Sequence, residues 1–218
     1  LSAGKIPVKF IDIRLEEFFR NNDYEGTRIG LGLSTNDKLS EIISLGGFAG
    51  FGIKDRKFKY GGFISFNLDK EGYTTFRLSY QNNLKEPGID PRREFDLMAV
   101  NDYLRDYLAF RMDNFVEERA ELSFRPSRYL KILSSVSFRD IRPTYDYEYQ
   151  GTPLTDFHAD EIKISARFAF GEETHMFGNE KIIFYAGNPI ISVDFKRGVD
   201  LFDRDSYNYN RIEAAVDV

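Results

Sequence analysis

Apolar and polar residues alternate one by one through most of this chain. From Glu25 to Leu68 the pattern runs through three segments. Thr27, Ile29, Leu31 and Leu33 fall opposite Arg28, Gly30, Gly32 and Ser34. Ile43, Leu45, Ala49, Phe51 and Ile53 fall opposite Ser44, Gly46, Gly50, Gly52 and Lys54, with Phe48 breaking the rule. Phe58, Tyr60, Ile64, Phe66 and Leu68 fall opposite Lys57, Lys59, Gly61, Ser65 and Asn67. A period of two sustained over whole segments predicts β-strands with one apolar and one polar face.

Six more runs continue the pattern: Tyr73 to Asn82, Val116 to Arg125, Leu130 to Arg139, Glu161 to Phe170, Ile190 to Lys196 and Tyr209 to Asp217. Lys181 to Tyr185 reads as a short extra strand. Val8 to Ile13 reads as a short alternating piece, followed by one amphipathic turn through Leu15, Phe18 and Phe19. The expected fold class is all-β, an antiparallel meander of about nine strands. A long connection from Asn83 to Asn114 carries Leu97, Val100, Leu104 and Leu108 at helical spacing, which predicts a short helix. A second, rich in tyrosine and acid, runs from Arg142 to Ala159, and a third from Gly171 to Pro189. Nothing marks a boundary, so residues 1–218 read as a single domain. The start at Leu1 and the stop at Val218 inside an alternating run suggest a fragment truncated at one or both ends.

Such strands fit two solvents. In a soluble barrel the apolar face points inward to a core or an apolar pocket; in an outer-membrane barrel it meets lipid and the polar face lines the lumen. Most runs reach the roughly 9 to 11 residues needed to cross hydrocarbon. Short turns after the third and fifth strands interleave with long loops after the fourth and sixth, as periplasmic turns and extracellular loops do. The tight Lys54 to Lys57 turn and the Gly171 to Pro189 connection depart from that rule. Phe58, Tyr60, Tyr80, Phe124, Phe138 and Phe170 near strand ends would serve as interfacial girdles. Against this, the chain has no tryptophan, and Glu118 stands on an apolar face.

Composition narrows the chemistry. A net charge of -5 with both signs interspersed gives no footprint for nucleic acid. With no cysteine there are no disulfides, thiolate metal sites or cysteine nucleophiles. His158 and His175 lack metal-ligand spacing, and Ser165 and Ser192 have no histidine beside them in sequence, so no catalytic residue, metal or cofactor is expected. The glycine clusters lie inside strands and lead into no helix, which argues against a phosphate loop and for close backbone approach. Acidic stretches at Asp140 to Glu148 and Asp200 to Asp205 read as solvated loop charge rather than calcium sites. Functional content therefore concentrates on the polar face. Its candidate lumen-facing residues are Arg28, Lys59, Arg77, Arg119, Glu121, Lys131, Arg139, Glu161, Lys163, Arg167, Lys196, Arg211 and Glu213.

The stretch Asn22 to Asn36, with Ser44 to Asp55 and Phe58 to Gly61, resembles the barrel of a Bacteroidota outer-membrane family in which a carboxypeptidase-regulatory-like domain precedes a barrel of unknown function. That barrel is in turn similar to the surface-antigen superfamily of outer-membrane assembly proteins. Asn188 to Gly198 resembles a later strand of the same barrel more loosely. The superfamily's arginine-glycine-aromatic motif is not carried over, because Arg197-Gly198 is followed by Val199. The terminal aromatic of a complete barrel is absent at Val218. The resemblance implies an outer-membrane location, the lipid bilayer as partner, exported or assembled proteins as further partners, and a non-enzymatic role in envelope biogenesis, protein export or transport. Two other readings stay open on the residues: a soluble β-barrel binding a hydrophobic small molecule, and a structural surface protein that binds partners through its long loops.

Overall fold

The computed structural model describes residues 5–69, 73–87, 111–149, 151–171, 173–177, 180–185, 189–201 and 206–217. The piece expected over Val8 to Ile13 is a hairpin rather than one segment. β1 (Lys5–Val8) and β2 (Ile11–Arg14) pair antiparallel around Lys9 and Phe10, with Lys9 at φ 52°. A lysine at that position carries none of the glycine or asparagine signals of a two-residue turn. A single 3-10 turn follows at Leu15–Glu17, and then β3 (Phe19–Asn22).

The nine alternating runs are the nine long strands. In order they begin with β4 (Gly26–Thr35), β5 (Ile43–Gly52), β6 (Phe58–Asn67), β7 (Thr75–Lys85), β8 (Asp113–Ser127) and β9 (Leu130–Pro143). Three two-residue strands interrupt the next loop: β10 (Glu148–Tyr149), β11 (Thr152–Pro153) and β12 (Phe157–His158). β13 (Glu161–Ala169) is followed by a hairpin of β14 (Glu173–Phe177) and β15 (Glu180–Tyr185), the latter being the expected short extra strand. β16 (Ile190–Gly198) and β17 (Tyr209–Asp217) complete the set. The helix expected through Leu97 and Leu108 lies outside the described residues, as does most of the Asp200 to Asp205 stretch.

One 13-stranded antiparallel sheet holds all the long strands in the order β1-β2-β4-β5-β6-β7-β8-β9-β13-β16-β17, with β3 beside β4 and β12 beside β9. β1 and β17 are its edges, so the sheet is open among the described residues. The short β8–β9 turn lies at the same end as the β4–β5 and β6–β7 connections, the turn end. The opposite, loop end carries the connections from β7 to β8 and from β9 to β13.

The burial pattern is inverted relative to a soluble protein. Leu84, Met112, Phe115, Leu133 and Ala169 are the buried hydrophobics among the described residues, and they are outnumbered by buried polar and charged ones. On β13 Lys163, Ser165 and Arg167 are buried while Ile164 is 46% exposed; on the edge strand β17 Ile212 is 72% exposed. Soluble folds bury aliphatic side chains and leave Lys and Arg outside. Here the polar face is the sheltered one.

Aromatic rings on the exposed face gather in two bands. Toward the loop end Phe51 meets Phe58 with ring centroids 4.9 Å apart, and Tyr60 meets Tyr80 at 6.2 Å. Toward the turn end Phe66 meets Phe76, and Tyr129 packs near Phe168 and Phe170. Phe58 and Phe66 on β6 are separated by about 26 Å along the strand at about 3.3 Å per residue. Glu118, well inside β8, is in register with Tyr80 on one side and Phe138 on the other.

Candidate functional site

The sheltered face is built on glycines that let large neighbours lie flat. Phe48 interrupts the alternation of β5 because it is a polar-face residue, in register with Gly61 on β6, while Phe63 on β6 is in register with Gly46 on β5. Each ring covers its opposite glycine so closely that a Cβ there would collide with it. Above Phe63 the Arg77 guanidinium stacks 3.7 Å from the ring centroid, a cation–π contact that orients it along the face.

A buried charge cluster closes the loop end of β4 to β6. Lys59 Nζ lies 3.1 Å from Glu25 Oε2 and also pairs with Asp55 from the β5–β6 turn. Glu25 Oε1 accepts from Asn22 Nδ2 at 2.8 Å and stands 3.7 Å from Arg28 Nε. Arg28 in turn donates from Nη1 to Asn83 Oδ1 on β7 at 2.6 Å. Lys59 is 2% exposed and Glu25 1%. Charges this sheltered are tolerated because each is paired and hydrogen-bonded. Gly52 makes room for them, since a Cβ there would strike Asp55 and crowd Lys59 and Glu25.

A second chain of contacts crosses the other half of the sheet. Gln81 Nε2 on β7 donates to Glu117 Oε2 on β8 at 2.8 Å, and Glu117 Oε1 lies 3.7 Å from Arg139 Nε on β9. Arg139 also pairs with Glu161 on β13, and Glu161 accepts from the Tyr209 hydroxyl on β17. Tyr209 reaches past the intervening strand because β16 carries Gly198 there, and its ring covers that glycine.

All the sequence-predicted lumen residues lie on this one face. Arg28 and Lys59 join the first cluster, and Arg139 and Glu161 the second. Arg77, Arg119, Glu121 and Lys131 line a cleft of about 680 Å³ in its centre. Lys163 and Arg167 on β13 and Lys196 on β16 are buried. Arg211 pairs with Glu213 at the β17 edge, where Arg211 is exposed. The reading of the residues misses Glu25, Asp55, Asn22, Asn83 and Tyr209. The first three stand in or beside turns, where alternation carries no information; Tyr209 is hidden because a ring over a glycine is visible only once register is known.

Outside that face, His158 Nδ1 lies 2.7 Å from Asp140 Oδ1. Among the described residues no group of three His, Cys, Asp or Glu side chains is placed to hold a metal. Back on the polar face, a smaller cleft of about 290 Å³ opens at the loop end between Arg139, Glu161 and Tyr209 and the loop rings of Tyr145, Tyr147, Phe157 and Tyr207. Burial, followed by the nearby Asp113 carboxylate, pushes the Tyr145 phenol up from its ordinary value. The arrangement offers paired charge, hydroxyls and a polar cleft. Comparison of the chain with family models, with curated proteins and with solved structures gives no match.

Proposed function

We propose that this chain is the membrane-embedded barrel of a bacterial outer-membrane protein, non-enzymatic, with a role in envelope biogenesis, protein export or transport. The observation that carries the reading is the inverted burial: Lys59, Lys163 and Arg167 are sheltered while Ile29, Ile164 and Ile212 are exposed. In water that arrangement leaves a wide apolar surface without cover. In a bilayer the same surface meets lipid and the polar face meets a wet interior. Strands of nine to fifteen residues, the aromatic rings of the exposed face and the long β7–β8 and β9–β13 connections at the loop end support it; the tight β5–β6 turn at that end and the long β13–β16 connection at the other depart from the pattern. The narrower role in biogenesis rests on the resemblance of Asn22 to Gly61 to the Bacteroidota barrel family. A soluble barrel with an apolar pocket would shelter Ile164 and expose Lys163, so the burial pattern weighs against it.

Membrane fractionation of the full-length protein tests the reading, with gel migration before and after boiling. Recovery in the outer membrane with a heat-dependent shift in migration is the expected result. A folded protein in plain buffer without detergent would overturn it.

A further inference from the structure

The central cleft of the polar face has the opposite sign to the molecule. Arg14 and Arg20 line it from the β2 and β3 side, and Arg77, Arg119, Arg125 and Lys131 from β7 to β9. The acids lining it are Glu17, Glu117 and Glu121. Cations therefore exceed acids two to one in the cleft, although the chain's net charge is -5.

Strand register sets further cations beside it. Lys131 stands directly opposite Arg167, and Lys163 directly opposite Lys196, with the buried Asp194 on the same face of β16. The arrangement is also graded along the strands. Arg125 and Lys131 adjoin the β8–β9 turn and Arg77 lies near the start of β7, whereas toward the loop end Lys59, Arg28 and Arg139 are matched by Glu25, Asp55 and Glu161. A cleft of one sign between low-dielectric walls focuses its field and concentrates counter-ions. Rings of Arg and Lys are the devices by which pores admit anions.

We propose that the interior of this barrel selects small anionic solutes, with Arg77, Arg119, Arg125 and Lys131 as the selecting side chains. This rests on the membrane-barrel reading above. The cations need not be released from their partners for this, because selectivity follows from the summed field rather than from any single vacant ligand position.

The test is the reversal potential of the full-length protein in a planar bilayer under a potassium chloride gradient, with boiling-dependent gel migration measured on the same preparation. The expected result is a heat-shifted protein whose current reverses on the chloride side of zero, with an R77Q/K131Q double variant reversing closer to zero. A heat-shifted protein that conducts no ions, or that reverses on the potassium side, overturns the anion inference and leaves the barrel reading standing. Absence of the heat shift removes the barrel reading and the inference with it. Should the double variant fail to fold, the sign of the unmodified protein's reversal potential still decides the matter.

Discussion

Arg28 on β4 donates a 2.6 Å hydrogen bond to Asn83 on β7, although β5 and β6 lie between them. Three strand steps span about 14 Å of flat sheet at about 4.8 Å each, before any stagger along the strands. The contact therefore reports a sheet that curls around its polar face. The same Asn83 oxygen accepts the Leu84 backbone N–H at 2.9 Å, and Leu84 packs with Met112 and Tyr24. Curl, charge cluster and the small apolar patch at the loop end are thus joined at one side chain.

Asn83→Ala is expected to lower unfolding stability by about 1 to 3 kcal/mol, because it removes the shared acceptor of a buried guanidinium N–H and of the Leu84 backbone N–H. Lys59→Ala should cost more, about 3 to 5 kcal/mol, since Glu25 and Asp55 are then left sheltered without their shared cation. Urea unfolding of the protein folded into lipid vesicles measures both.

The paired rings and glycines of β5 and β6 yield a second expectation. Gly46→Val drives a branched side chain into Phe63, which also supports Arg77. Overpacking of this kind costs about 1 to 3 kcal/mol. The compensating pair Gly46→Val with Phe63→Ala should recover part of that loss, and a double-mutant cycle on the same unfolding curves shows whether it does.

On β13 two neighbouring positions should respond unequally. Ile164→Lys places a charge on the exposed apolar face and is expected to cost about 2 to 4 kcal/mol near the bilayer midplane. Ser165→Ala removes a buried hydroxyl that makes no hydrogen bond and should change stability by less than about 0.5 kcal/mol. Equal tolerance at both positions would contradict the assignment of the two faces.

The contact between Tyr209 and Glu161 is expected to depend on the glycine beneath it. Tyr209→Phe removes the donated hydrogen bond, with a loss of about 1 kcal/mol. Gly198→Ala should lose more, because its Cβ would strike the Tyr207 backbone carbonyl as well as the Tyr209 ring. The temperature at which gel migration changes on heating ranks the two variants.

Much of this architecture was legible in the sequence because alternation is a direct record of two environments. All nine long strands follow from it, and so does the membership of Lys163 and Arg167 in one face. What alternation does not carry is which face is sheltered, since Ile162 to Phe170 reads the same with lipid or a core beside it. Nor does it carry register. Phe48 is an irregularity until Gly61 is seen opposite, and the long side chains of Arg28 and Tyr209 reach strands that no local pattern relates to them. The β1–β2 hairpin escapes for another reason, because its turn at Lys9 uses a lysine where a glycine or asparagine would have signalled it.

The orientation of the two faces is most directly tested along β13. The chain contains no cysteine, so single cysteines introduced one at a time from 162 to 168 give unique sites for a fluorophore quenched by brominated lipid chains. The account predicts quenching at Ile162, Ile164, Ala166 and Phe168, and little at Lys163, Ser165 and Arg167. Quenching in the opposite phase, or none at any position in a folded sample, would contradict it.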